Sequence, residues 1–394
     1  MSSDPSRSAP TRARLRGVAE AFAIDGRWIS SAPYGNGHIN ETLLVVFEER
    51  GRPARYIQQR INRGVFAEPE KLMDNIARVT AHQGAALARE RVADADRRAL
   101  ALVPTRDGIS FHVDAGGEFW RTYRFIEGAR SHEVAGSTAE ALAVAEAFGR
   151  FQAQLADLPG GRLHETIPRF HDARHRFETL VRVAREDPER RLAACRAELD
   201  AIASREAMLD RLRDAQARGR LPERIAHNDT KLNNVLLDER TGEAVCIIDL
   251  DTVMPGLVLH DFGDLVRTAC SSAAEDERDL SRVRAEPALF AALLEGYLRG
   301  ARSFLSEAER AELAFSGRLV TLMLAIRFLA DHLAGDRYFR IHRAGHNLDR
   351  CRAQLRLVET LEEQGAHLDE MVESAAARQR LLGSRHSAGG PRGL

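Results

Sequence analysis

The chain has 394 residues, two or three times the ~150 of a typical domain, with 44% hydrophobic and 29% charged residues; this composition is globular, not disordered or collagenous. Its 57 basic and 58 acidic residues leave a formal charge of −1, so no global attraction to nucleic acid or anionic lipid is expected. The unbroken apolar runs end at Glu295 and Arg327, short of the ~20 residues of a membrane helix, and the polar, Arg-bearing start has no apolar stretch behind it, so neither a membrane span nor a secretory signal is expected.

In chain order, residues 1–12 read as a loose tail of Ser, Pro and Arg. Trp28 to Ser31 and Thr42 to Glu48 predict strands flanking a Gly35-Asn36-Gly37 turn, where φ > 0 suits a hairpin. Arg55 to Ile61 predicts a third strand. Glu68 to Arg91 predicts a helix from the 4 and 3 spacing of Leu72, Ile76 and Val79. Three more strands are predicted at Ala101 to Pro104, Ile109 to Asp114 and Phe119 to Ile126, the last two joined through Gly116-Gly117. The texture changes after Glu127-Gly128. Thr138 to Leu158 and most of Asp172 to Arg218 predict helix, Arg224 to Asp251 a small strand block, and Pro287 to Glu373 helix again. Ser384 to Leu394 reads as a second loose tail. Strands first and helices later predict an α+β protein, with an N-terminal lobe over 13–126 and a C-terminal lobe over 127–383.

The four cysteines, Cys195, Cys246, Cys270 and Cys351, have no CxxC or paired spacing. That argues against structural zinc and a disulfide framework, and fits a reducing cytoplasm. Only two of the 57 basic residues are lysines, Lys71 and Lys231. One reading is codon bias in a GC-rich genome; the other is that a surviving ammonium marks a place where a guanidinium does not substitute.

The stretch that carries chemistry runs from His227 to Leu237 and on to Ile248-Asp249-Leu250-Asp251. An apolar strand ends at His227, a polar loop follows, and a hairpin turning at Asp238 to Glu243 delivers Asp249 at the end of its second strand. Carboxylate and carboxamide oxygens with little His or Cys form a hard-cation set suited to Mg²⁺ on substrate phosphates. Asp229, a Lys two residues later, an Asn five residues later and a strand-terminal Asp match the phosphoryl-transfer template. The alternative for each residue alone is turn chemistry. Asp261-Phe262-Gly263 spells the protein-kinase metal tripeptide but lacks a strand leading into it, so Asp249 is read as the metal aspartate. Asp261 and Asp264 are expected to brace the loop or cap the next helix.

These residues resemble the aminoglycoside phosphotransferase and choline kinase superfamily, which has the protein-kinase-like two-lobed fold. Within it the chain is most similar to N-acetylhexosamine 1-kinases. The likeness rests on Gly35 to Asn40, Gln59 to Asn62 with Val65-Phe66, Phe125 to Gly128, Phe148 to Phe151, Ile167 to His171, Asn228 to Lys231 and Asp249 to Gly256. The resemblance implies ATP-dependent phosphorylation of the anomeric hydroxyl of a sugar, N-acetylglucosamine or N-acetylgalactosamine. It implies Asp229 as catalytic base, Lys231 as a cation near the transferred phosphoryl, and Asn234 and Asp249 as Mg²⁺ ligands. His38, Arg327 and Tyr338 would contact the sugar, and Gly35, Gly37 and the connector from Phe125 to Glu127 would hold ATP. Protein kinases carry a phosphate-binding Lys on the third strand, and this chain has none there. Arg60 is the candidate replacement, with Glu68 or Glu70 as its partner. Its alternative is a surface cation. Arg327 could instead pair with Asp331, and Tyr338 could be core. Other readings of the whole chain are an aminoglycoside or amino-alcohol kinase and a non-catalytic nucleotide-binding protein. The stretch Asp172 to Arg224, with 13 Arg and 11 acidic residues, is not acidic enough to favour a polycationic acceptor. The oligomeric state is not legible.

Overall fold

The computed structural model describes residues 11–35, 37, 39–271 and 273–387. In chain order its elements are α1 (Arg12–Glu20), β1 (Arg27–Pro33), β2 (Glu41–Glu49), β3 (Arg52–Arg60), α2 (Pro69–Glu90), α3 (Ala95–Arg98), β4 (His112–Val113), β5 (Phe119–Arg124) and β6 (Ala129–Arg130). There follow α4 (Thr138–Leu155), α5 (Ala173–Glu186), α6 (Arg196–Ala203), α7 (Arg211–Ala217), β7 (Arg224–Ala226), β8 (Val235–Asp238), β9 (Ala244–Ile247), β10 (Met254–Gly256) and α8 (Val258–Ala269). The chain closes with α9 (Pro287–Gly300), α10 (Glu307–Ala311), α11 (Leu313–Leu333), α12 (His346–Glu363) and α13 (Gly365–Ser387).

These elements form two compact units. One comprises the chain up to 130 with 157–168 and 236–255; the other comprises 131–156, 169–235 and everything from 256. The chain therefore crosses between them several times, whereas the change of texture suggested one boundary near 126–128. The hairpin from 236 onward, with Asp249, belongs to the first unit.

The first unit is built on an antiparallel sheet in the order β1-β2-β3-β5-β4. Alternation along β2 buries Leu43, Val45 and Phe47, the period of a half-buried strand. They join Phe22, Trp28, Tyr56 and Trp120 in one apolar core. Leu102 makes only an isolated bridge to Tyr123 where a strand was predicted. That run donates Val103 N–H to Thr122 O at 2.8 Å and then reaches Pro104, which has no N–H to continue a ladder. Ile109 is taken into a turn with Thr105, which leaves only His112–Val113 as strand. Helix α2 buries Leu72, Ile76 and Val79 as their spacing demands. Its buried Asn75 donates to His164 O and Val253 O at 2.8 and 3.1 Å, tying both returning segments to this unit. A smaller cluster of Ile126, Val245 and Cys246 packs under the β6-β8-β9 sheet.

The second unit is helical. Ser137 caps α4, Asp172 caps α5, and Ser306 with Glu309 forms a reciprocal capping box on α10. Helix α11 packs against α5, α8 and α12. By length and composition α11 could cross a membrane, although the sequence was read as too interrupted for that; 83% of its apolar window is buried against the rest of the protein, as in a core helix. Helices α4 and α9 approach so closely that a Cβ on Gly296 would lie 2.1 Å from Leu142 O, and one on Gly300 2.3 Å from Glu146 O. Only glycine fits that crossing. The helix α13 continues to Ser387, past the expected start of the tail at Ser384.

Candidate active site

In the second unit, β7 ends one residue before His227, and the next residue, Asn228, takes a left-handed φ of 64°. Such a conformation in a non-glycine residue persists only where neighbours hold it. Asp261, fully buried in the first turn of α8, does so. Its carboxylate accepts the backbone N–H of His227 at 2.8 Å, that of Asn228 at 2.7 Å and the Gln152 amide at 2.5 Å. Thr230 Oγ1 donates to Asp261 O at 2.6 Å, and Tyr297 fixes Gln152 from behind. Burial pushes the Asp261 carboxyl up to about 7 against the donors that pull it down. Asp261 is thus the loop brace that its sequence position suggested. Asp264 pairs with buried Arg267, which also holds Glu275.

The loop so held presents Asp229, Lys231 and Asn234 together. Lys231 Nζ lies 3.1 Å from Asp229 Oδ2. Asn234 Nδ2 donates to Asp229 O at 2.8 Å and to Asp229 Oδ2 at 3.2 Å. Both contacts use the amide nitrogen, so Asn234 keeps Oδ1, a hard oxygen suited to Mg²⁺. Burial raises the Asp229 carboxyl, but the Lys231 ammonium, His227 and Arg267 outweigh it and hold it below the usual range. Burial likewise disfavours the Lys231 ammonium, and Asp229 and Asp264 overcome it.

Asp229 connects through Asn228 to a cationic and aromatic cluster in the same unit. His171 Nε2 lies 2.9 Å from Asn228 O and its ring packs on Phe170 and His260. The Arg327 guanidinium sits 5.2 Å from the Phe170 ring centre, 5.6 Å from Tyr338 and 5.3 Å from Phe339. It donates to Tyr338 Oη at 3.4 Å. Arg327 does not pair with Asp331. That carboxylate instead accepts the backbone N–H groups of Arg337, Tyr338 and Phe339 at 2.7–2.9 Å and shapes the turn bearing Tyr338, which is half exposed and not core. Arg176 donates to Phe170 O at 3.1 Å. Burial, then neighbouring Arg327, lowers its guanidinium to about 10. Arg176 escaped the sequence reading, and Asp331 entered it only as a possible partner of Arg327, because nothing local distinguishes them from helix-surface charges. His38 lies outside the described residues.

In the first unit, Gly35 has φ 73° at the hairpin turn, and Tyr34 N–H donates to Thr42 O at 2.9 Å below it. Phe125 is covered by the Arg55 guanidinium at 4.2 Å and meets Tyr34 edge-on. Arg55 pairs with the Glu127 carboxylate, and Arg97 donates to Glu127 O at 3.1 Å. Asp249 takes a left-handed φ of 60° as it leaves β9. Arg60 is placed by its register. It stands opposite Glu41 and Trp120, and its guanidinium pairs with Glu41 at 2.8 Å and Glu118 at 3.7 Å. Glu68, offered as its partner, pairs with Lys71 instead. Alternation puts Gln59 on the opposite face of β3, across from Arg121. That buried guanidinium, not Arg60, faces the Asp249-Leu250-Asp251 turn and forms an ion pair with Asp251. Among the described residues no three His, Cys, Asp or Glu side chains gather as a metal cluster.

The profile of the Phosphotransferase enzyme family (APH) matches residues 31–313. Several solved structures share the fold. An aminoglycoside phosphotransferase from Alicyclobacillus acidocaldarius is 14% identical with a TM-score of 0.56, covering 96% of this chain and 99% of that one. A choline kinase from Cryptosporidium parvum is 14% identical with a TM-score of 0.53, covering 91% and 98%. The GDP complex of aminoglycoside 2'-phosphotransferase-IIIa is 13% identical with a TM-score of 0.51, covering 91% and 99%. The antiparallel sheet unit and the helical unit are those of the protein-kinase-like fold shared by these enzymes.

Proposed function

The chain belongs to the Phosphotransferase enzyme family, and from that premise we propose that it is an ATP-dependent sugar kinase. Its acceptor would be the anomeric C1 hydroxyl of N-acetylglucosamine or N-acetylgalactosamine, and its product the sugar 1-phosphate. The observation that carries this reading is the pairing of Arg327 with Tyr338 in the unit that holds Asp229, linked to it through His171 and Asn228. Two residues distant from the catalytic loop, assigned to the sugar by resemblance, are neighbours of each other. Among the described residues neither Arg327 nor Arg176 has a carboxylate ion partner, unlike most arginines in the chain. A choline or a polyamine acceptor would meet two uncompensated guanidiniums there; a neutral sugar would meet hydrogen-bond donors.

In this mechanism Asp229, ionised at neutral pH, accepts the proton of the sugar hydroxyl. Its depressed affinity for protons makes it a modest base, which suffices for an anomeric hydroxyl, the most acidic one on a sugar. Its larger task is to orient that oxygen for in-line attack. Lys231, beside it, stabilises charge that develops on the transferred phosphoryl. In the second unit Asn234 Oδ1, and in the first the Asp249 carboxylate, are each hard donors of the kind Mg²⁺ takes, and Mg²⁺, when bound, supplies charge neutralisation at the phosphates. Tyr34, Phe125 and Glu127 would hold the nucleotide.

The test is an ATP-consumption panel on N-acetylglucosamine, N-acetylgalactosamine, kanamycin and choline. ADP release with an N-acetylhexosamine, absent with the cationic acceptors, is expected. Turnover of choline or kanamycin alone would overturn the reading.

A further inference from the structure

Two carboxylates separated by one residue, Asp249 and Asp251, would each be taken for a ligand of the metal. We propose instead that Asp251 is a positioning residue, a clip that joins the metal-binding turn to the nucleotide turn, with Arg121 as its buried counter-charge. The proposal rests on the kinase reading of Asp249 and of the Gly35–Gly37 turn.

Every polar atom of Asp251 that bears on the question is engaged inside the first unit. The residue is 3% exposed. Oδ2 accepts Asn40 Nδ2 at 2.5 Å, Oδ1 forms the ion pair with Arg121, and the backbone oxygen accepts Thr166 Oγ1 at 2.8 Å. Arg121 is 1% exposed, and its Nε and second terminal nitrogen both donate to Gln59 Oε1, at 2.9 and 2.8 Å. Gln59 in turn donates to Thr42 Oγ1 at 3.0 Å. The guanidinium is therefore engaged by Gln59 on β3 and by Asp251 in the turn. Asn40, at the end of the nucleotide turn, also accepts the Asn62 N–H at 3.0 Å. One carboxylate thus grips both the turn that follows β1 and the turn that follows β9.

Two physical consequences follow. Asp249 holds a left-handed backbone that a side chain other than glycine disfavours, and the anchored Asp251 keeps the next residues from relaxing it. The two carboxylates would also repel each other. Arg121 supplies the counter-charge that eases this repulsion. Turning Asp251 outward to a metal would take from buried Arg121 its paired carboxylate, an arrangement far costlier than leaving the pair intact.

The experiment titrates Mg²⁺ against mant-ATP fluorescence with the full chain, and needs no sugar acceptor. The sign of one variant separates the two readings. Arg121→Met removes a cation beside the metal aspartate. If Asp251 were a ligand, freeing it would leave the Mg²⁺ midpoint unchanged or lower it. The clip predicts the reverse: Arg121→Met, Asp251→Asn and Asn40→Ala each raise the midpoint by about tenfold, the usual scale for supporting partners of a metal ligand. Arg121→Lys recovers most of the loss. Asn40→Ala changes no charge and keeps the test alive if the charge variants do not fold; a wild-type midpoint in Asn40→Ala overturns the clip. Arg121→Met with a lowered or unchanged midpoint, beside a raised one in Asp251→Asn, also overturns it and makes Asp251 a ligand. A wild-type chain that binds no mant-ATP refutes the nucleotide reading, and the clip falls with it.

Discussion

Asp261 offers a prediction whose sign can be worked out in full. Its carboxyl is raised from an ordinary 3.8 to about 7, chiefly by burial. An acid that is weaker in the folded state than in the unfolded state opposes folding once the unfolded chain can ionise. Its penalty is absent well below pH 4, grows from there, and levels off above the folded value. Integrating between pH 5 and pH 8 with those two values, this one group costs roughly 2.5 kcal/mol of stability over the interval. Asp261→Asn keeps the shape and removes the titration. It also turns an amide N–H₂ towards one or two of the three donors, so the variant is less stable at low pH by about 1–3 kcal/mol. The assay is thermal unfolding of wild type and Asp261→Asn across pH 5–8.5, read as the difference between the two, which cancels every other titrating group. The wild-type advantage should be largest at pH 5 and shrink by pH 8. Parallel profiles, or an advantage that grows with pH, would refute the reasoning.

Other outcomes follow from the same geometry. Asp229→Asn should lower turnover about 10²–10⁴-fold while leaving nucleotide affinity near wild type; turnover within severalfold of wild type in stopped assays would remove Asp229 as the base. Asp331→Ala frees three backbone N–H groups in the turn of Tyr338, so KM for the sugar should rise with a smaller change in kcat, as steady-state kinetics would show. Gly296→Ala places a Cβ 2.1 Å from Leu142 O and should cost about 1–3 kcal/mol or more in chemical denaturation, since neither helix can retreat without opening the α4–α9 crossing.

Much of this molecule is local and so was readable in advance. The alternation of β2, the 4 and 3 spacing of α2, and the hairpin whose turn closes from Asp238 to Glu243 are set by residues near in sequence. Asp229, Lys231 and Asn234 sit within one loop, and their spacing already implied their association. Register between distant strands is different. Arg60 and Arg121 are equally plausible cations in the sequence, and only the pairing of β3 with β5 shows that Gln59, not Arg60, shares a face with Arg121. Asp331 serves a turn six to eight residues downstream through its side chain, where helical spacing suggested a pair with Arg327. Helix α1 was missed because its Arg-rich start looks like tail, although Val18 and Ala19 enter the core.

The central claim is phosphoryl transfer to the anomeric oxygen of an N-acetylhexosamine. Phosphorus-31 NMR of the products from ATP and N-acetylglucosamine or N-acetylgalactosamine tests it most directly. ADP and a sugar phosphate whose phosphorus couples to the anomeric proton are expected in equal amounts, with about 10²–10⁴-fold less formed by Asp229→Asn over the same time. A phosphate coupled to the C6 protons, or ADP with free inorganic phosphate and unmodified sugar, would contradict it.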